Sequence, residues 1–150
     1  MIYIGITIGV FLLDFFIKNY FDKNYARRVK HPRLKNKIII EKYYNDGATL
    51  NFLAERPKRM KAIHTIVMVG VCIAYYLVLR LTGKSLSKTG MAFLVGGGLS
   101  NLLDRYTKGH VVDYFRINVG PKRLRNIIFN ISDFFIFIGA VLAVLGSEAD

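Results

Sequence analysis

Four stretches of this chain, 2–21, 62–82, 89–103 and 127–146, are dominated by apolar residues. A helix needs about 20 mostly apolar residues to cross a bilayer core, so each stretch is sized to span or nearly span a membrane. The third is shorter and rich in glycine (Gly96, Gly97, Gly98). With 53% hydrophobic residues and a mean hydropathy of +0.31 over 150 residues, a water-soluble domain would expose too much apolar surface. The expected fold is mainly α: an integral membrane four-helix bundle in a single domain, 1–150. Two longer connections, 22–61 and 104–126, would lie outside the membrane.

The first stretch lacks the basic leader of a cleavable signal peptide. Asp14 and Lys18 stand where a small-residue cleavage site would be, so it is expected to remain as an anchor. The single cysteine, Cys72, lies within the second stretch. No intrachain disulfide and no cysteine metal site are expected.

Four crossings put both ends of the chain on one side and both longer connections on the other. Placed by depth, the polar residues then gather at a single face. Asp14 and Lys18 lie toward the exit of helix one, Asn101, Asp104 and Arg105 at the exit of helix three, and Asn130 and Asp133 at the entry of helix four. Asn45 and Asp113 lie in the adjoining connections. Ionisable groups in membrane segments are costly and mark functional sites by default. In the connections, KIIIEKYYNDGATLNFLAE reads as two strand-forming runs around an Asn-Asp-Gly turn, and HVVDYFRINVG as a further strand. Such small extramembrane β elements form a platform suited to an extended peptide.

Each polar residue also has a purely structural reading. Asp14 and Lys18, four apart, can neutralise one another on a helix. Asn130 with Asp133 matches a helix cap with an acid in the first turn. Asp104 can pair with Arg105 at a helix end, and Asn101 can bond a neighbouring helix. Asp113, between Val112 and Tyr114, has no basic neighbour. His31, His64 and His110 share no ligand spacing and read as structural or interfacial, and the glycine triplet reads as a packing face rather than a phosphate loop.

GGGLSNLLDRYTKGHVVDYF followed by FNISDFF closely resembles the two C-terminal signatures of the lipoprotein signal peptidases, also called signal peptidase II. Their pattern is approximately G-G-A-x-G-N-x-x-D-R, then V-V-D-F, then F-N-x-A-D. Asp14 and Lys18 match the D-x-x-x-K of that family's first helix, and NDGATLNFL stands where the family has N-x-G-A-A-F. The resemblance covers nearly the whole chain.

It implies an intramembrane aspartic endopeptidase of the bacterial inner membrane, with its active site at the outer face. Such an enzyme cuts prolipoproteins before the diacylglyceryl-cysteine, with no metal or nucleotide cofactor. The family's catalytic pair maps onto Asp113 and Asp133. Its site-lining positions map onto Asn45, Gly47, Asn101, Arg105 and Asn130, and its supporting positions onto Asp14, Lys18 and Asp104. Two acids close together in a poorly hydrated site share one proton, and Asp133, near a helix N-terminus, is the expected anion. Departures from the pattern are Ser100 and Ser132, each a small-for-small change, and Thr49 and Leu50, which alter the pocket.

Two rival readings stand beside this one: a catalytically inactive or substrate-altered paralogue that binds lipidated peptides, and a small transporter, which would hold its acids nearer mid-bilayer. Despite the net charge of +12, nucleic acid is not an expected partner. Basic clusters beside a membrane read as attraction to anionic headgroups. Nothing in the sequence sets an oligomeric state, and a monomer is the simplest expectation. The two connections carry 18 Lys and Arg, twelve in 22–61 and six in 104–126, against Arg80, Lys84 and Lys88 at the other side. The positive-inside rule alone would therefore put the motif-bearing face in the cytoplasm, opposite to what the resemblance implies.

Overall fold

The computed structural model describes residues 1–47 and 55–148. Four long helices dominate: α1 (Ile2–Asn24), α2 (Pro57–Arg80), α3 (Ser85–Thr107) and α5 (Ile131–Glu148). A four-stranded sheet is built from β1 (His31–Arg33), β2 (Ile38–Asn45), β3 (Val111–Ile117) and β4 (Ile128–Phe129), and a single turn, α4 (Lys122–Arg125), precedes β4. The protein is thus mostly helical with one small antiparallel sheet.

α3 packs against each of the other three long helices. Its glycines explain how. A Cβ added at Gly96 would lie 2.7 Å from the Thr7 carbonyl oxygen of α1, and one at Gly97 2.9 Å from the Ser132 carbonyl oxygen of α5. Small residues let helix backbones approach this closely, the usual basis of helix association in lipid. The triplet is therefore a packing face, as expected.

Polarity is inverted relative to a soluble bundle. α1, α2 and α5 turn Ile8, Phe16, Ile66, Ile73, Phe137 and Val144 outward, while Asp14, Lys18, Asn101, Asp104 and Arg105 are buried. These three helices are long and apolar enough to cross a membrane. α3 differs from the expected span at 89–103 in extent and in composition: it runs to Thr107, and its buried residues are mostly small or polar, among them Ser87, Gly90, Ser100 and Asn101. Enclosure by three neighbours relieves it of the need for an apolar surface. The longer α3 also puts Asp104 and Arg105 in its last turn, not beyond its end. α2 starts at Pro57, five residues earlier than the apolar run, because proline suits the first helical position.

The sheet is antiparallel throughout, in the order β1-β2-β3-β4. β3 is the strand expected from HVVDYFRINVG. Tyr43 pairs with Asp113 and Asn45 with Val111, and the register shifts between Ile40 and Tyr43. The hairpin expected around Asn-Asp-Gly has its second arm in 48–54, outside the described residues. On its N-terminal side β2 forms a hairpin with β1, through a turn in which Leu34, Lys35 and Asn36 all take positive φ. A strand over the second apolar run, and the departures at Thr49 and Leu50, fall in 48–54, outside the described residues.

Candidate active site

The site rests on a buried ion cluster between α1 and α3. Lys18 is 1% exposed and Asp14 0%, in helices whose outer faces are apolar, so each charge requires a partner. Lys18 Nζ lies 2.7 Å from Asp14 Oδ2 and 3.3 Å from Asp104 Oδ2, and donates to Asn101 Oδ1 at 2.5 Å. Asp14 also accepts from Ser100 Oγ at 2.5 Å and from the Ser132 amide at 3.3 Å. Asp104 accepts from the Val112 amide and pairs with Lys108 at 3.1 Å. The pairing of Asp14 with Lys18 is therefore real, but it is one edge of a larger cluster. Asp104 does not bond Arg105, its sequence neighbour; its cations are Lys18 and Lys108.

Asn101 carries the cluster to α5. Its Oδ1 accepts from Lys18 and from Asn130 Nδ2, and its Nδ2 donates to Asp133 Oδ1 at 3.3 Å. Asn130 caps α5: its Oδ1 accepts from the Asp133 amide at 3.1 Å, while Asp133 Oδ2 accepts from the Asn130 amide at 3.0 Å. This is the reciprocal geometry of a capping box. The structural reading and the site reading coincide here, because the cap fixes where the Asp133 carboxylate points. The other half of the Asn130 carboxamide donates to Asp113 Oδ1 at 2.7 Å, and Asn45 Nδ2 donates to Asp113 Oδ2 at 2.9 Å. Tyr114 supports the junction, accepting from the Ile131 amide while its ring stacks on Phe21.

Asp113 is 2% exposed. Burial, and next the nearby Asp133 carboxylate, push its pKa up to about 8 against the opposing hydrogen bonds from Asn45 and Asn130. It therefore holds a proton far more readily than an ordinary aspartate. Arg105 reaches the backbone carbonyls of Asp46 and Gly47, and the Gly47 amide donates to Asn45 Oδ1. All ten residues singled out from the sequence thus belong to one continuous hydrogen-bonded network.

Asp113 and Asp133 both border a cavity of about 1050 Å³. One end of it is apolar, between Ile63 and Val67 of α2 and Phe137 and Ala140 of α5; the other runs along the sheet past Glu41, Arg116 and Arg28. Two carboxylates at such a cavity, one of them holding a proton, can serve as a general acid and a general base. Among the described residues no three His, Cys, Asp or Glu side chains are grouped to hold a metal ion.

Sequence reasoning missed two participants. Ser100, a small-for-small departure from the family pattern, donates its hydroxyl to Asp14; its position beside Asn101 on a buried helix is the available signal. His64 was set aside for want of ligand spacing, but it lines the cavity and its Nδ1 has no hydrogen-bond partner. His31 and His110 pack against the rings of Tyr25 and Tyr44.

Comparison with known proteins bears on this arrangement. The family model described as signal peptidase (SPase) II matches residues 6–147. A lipoprotein signal peptidase of Neisseria meningitidis serogroup C is 41% identical over 109 residues, which cover 68% of this chain and 62% of the relative. The chain therefore spans only about three fifths of that relative's length. A lipoprotein signal peptidase of Halothermothrix orenii is 31% identical over 145 residues, covering 97% of this chain and 93% of the relative. A solved structure described as a bacterial membrane enzyme superposes with a TM-score of 0.84 at 22% identity, covering 99% of this chain and 88% of that one. That last likeness concerns the fold alone.

Proposed function

The chain belongs to the signal peptidase II family, and from that premise we propose that it is an aspartic endopeptidase that removes signal peptides from lipid-modified bacterial prolipoproteins. The observation that carries the reading is the joining of Asp113 and Asp133, through the carboxamides of Asn130 and Asn101, at one cavity.

Asp133, in the first turn of α5, is the anion, since the helix dipole favours negative charge there. It takes a proton from a water molecule, whose oxygen attacks the scissile carbonyl carbon. Asp113 gives its proton to the carbonyl oxygen, forming a neutral gem-diol. As the C–N bond breaks, the proton held by Asp133 passes to the departing nitrogen and Asp113 recovers its own from the diol. The products are a signal peptide with a new carboxylate and a lipidated chain with a free α-amino group. The two acids titrate as a unit, and the asparagine carboxamides hold both in register without adding charge.

Membrane placement follows the same chemistry. α3 is the fourth crossing, its polar side chains covered by α1, α2 and α5, and 1–150 acts as one domain. The signal peptide and acyl chains occupy the apolar end of the cavity between α2 and α5. The lipid tether brings the scissile bond to the depth of Asp133, where an apolar helix begins. Such a substrate is met at the outer face of the bacterial inner membrane, and the exposed basic residues of the connections rest on anionic headgroups.

The test is incubation of the purified, detergent-solubilised protein with a diacylglyceryl-modified prolipoprotein. Release of the intact signal peptide, blocked by globomycin and abolished by Asp113→Asn and by Asp133→Asn in folded protein, is the expected result. Release by either variant removes that residue from the mechanism. No release by the unmodified protein, under conditions where another family member cuts, refutes the reading.

A further inference from the structure

The two ends of the cavity differ in chemistry, and the charged end has no part in the steps above. There Arg116 Nη2 lies 2.7 Å from Glu41 Oε2, with side chains 17% and 7% exposed. Arg116 Nε has no hydrogen-bond partner although it is buried. Arg28 lies beside them on the cavity wall, exposed, with its amide bonded to the Lys42 carbonyl at 2.9 Å. Two guanidinium groups against one carboxylate leave a net positive charge at this end of the cavity. Arg116 pairs with Ile39 across the β2–β3 ladder, so Glu41, two residues along β2, is its diagonal neighbour on the same face of the sheet.

Position along the sheet says which part of a substrate would meet these groups. Tyr43 is opposite Asp113, and Glu41 is two residues along β2, about 7 Å at the rise of an extended strand. A substrate extended along the strand, with its scissile bond at Asp113, therefore brings its second or third residue beyond the cut to the charged end. The apolar end takes the signal-peptide side, so this is the mature side. Resting on the proposed peptidase function, we propose that Arg28 and Arg116, with Glu41 orienting Arg116, form a subsite for an acidic side chain one or two residues after the lipid-modified cysteine. Arg116 is held by Glu41 through Nη2, so the exposed guanidinium of Arg28 makes the charge-assisted contact with the incoming carboxylate while Arg116 adds uncompensated positive charge beside it.

The experiment uses diacylglyceryl lipopeptides identical except for Asp, Ser or Lys at the two positions after the cysteine. It measures kcat/KM and, by fluorescence anisotropy, binding in the same detergent. Asp peptides are expected to exceed Lys peptides by about tenfold in kcat/KM, the equivalent of one charge-assisted contact worth ~1.4 kcal/mol. Arg28→Glu, at an exposed position, should erase or invert the order, and Glu41→Gln should widen it. Equal kcat/KM for all three peptides overturns the subsite while leaving the peptidase reading intact. Charge-ordered binding without cleavage keeps the subsite and sinks the peptidase. Binding with no charge order and no cleavage removes both.

Discussion

Replacing Lys18 by Met keeps the length and most of the volume of the side chain and removes only its charge and donors. Four acceptors lose a partner: Asp14, Asp104, Asn101 and, at 3.5 Å, the Ser100 hydroxyl. The loss falls unequally. Asp104 keeps Lys108 at 3.1 Å and the Val112 amide, whereas Asp14, 0% exposed, keeps only the neutral donors Ser100 and Ser132. Removing one member of a buried ion pair costs about 3–5 kcal/mol, mostly as the penalty on the charge left behind, and here that charge is Asp14. Unfolding in mixed micelles with a rising mole fraction of dodecyl sulfate, followed by near-ultraviolet circular dichroism, should show a loss in that range. Adding Asp14→Asn should recover more than half of it; adding Asp104→Asn should recover little. Activity should not return with stability, because Asn101 has lost the donor that orients it toward Asp133. A Lys18→Met protein within ~1 kcal/mol of the parent, less than a typical buried charge can cost, or better rescue by Asp104→Asn than by Asp14→Asn, would refute this account.

Three further outcomes are expected. With Asp113 acting as the acid and its pKa at about 8, kcat/KM should fall as pH rises through 8. Because that value is raised above the unfolded one, the folded state binds the extra proton, so stability should decline between about pH 4 and 8. Asp113→Asn should flatten this slope in a pH series of unfolding midpoints. Ser132 is fully buried and its Oγ has no hydrogen-bond partner, so Ser132→Ala should leave unfolding midpoint and activity unchanged or raise stability by up to ~1 kcal/mol. Gly97→Ala would set a Cβ 2.9 Å from the Ser132 carbonyl oxygen, whereas at Gly70 nothing lies within 4 Å. The first should cost about 1–3 kcal/mol and lower kcat by displacing the start of α5; the second, compared in the same unfolding assay, should be neutral.

The membrane character and the position of the polar residues were legible because both follow from spacing along helices. Apolar runs set the crossings, and once these were drawn, Asp14, Asn101 and Asp133 fell at one level. The β3 strand around Asp113 was legible from its run of β-branched and aromatic residues. The turn between β1 and β2 was not, since 34–37 holds no glycine or proline and nothing local signals the positive φ that Leu34, Lys35 and Asn36 adopt there. The partner of Asp104 was hidden for a related reason. Adjacent residues on a helix point about 100° apart, so Arg105 is its neighbour in sequence but Lys18, on another helix, is its neighbour in space. The place of His64 was hidden because the cavity it lines is formed by α2, α5 and the sheet together, which no periodicity records.

Orientation remains the point at which two physical arguments oppose each other. The connections hold 18 Lys and Arg against three on the opposite side, and over loops of this length such a bias ordinarily holds a face in the cytoplasm. Part of the charge is committed in the fold: Lys42 to Asp22, Lys108 to Asp22 and Asp104, Arg116 to Glu41 and Arg105 to backbone carbonyls. Much of the remainder, including Lys30, Arg33, Lys35 and Lys37, is exposed and can lie on anionic headgroups. The proposed reaction decides between the two arguments, because a translocated, lipidated substrate presents its scissile bond only at the outer face. In a Cys72→Ser background, a cysteine introduced at Lys35 should react with a membrane-impermeant thiol reagent in intact cells, and one at Ser85 should react only after permeabilisation. The reverse pattern would place Asp113 and Asp133 at the cytoplasmic face and refute the outer-face assignment together with the lipoprotein substrate.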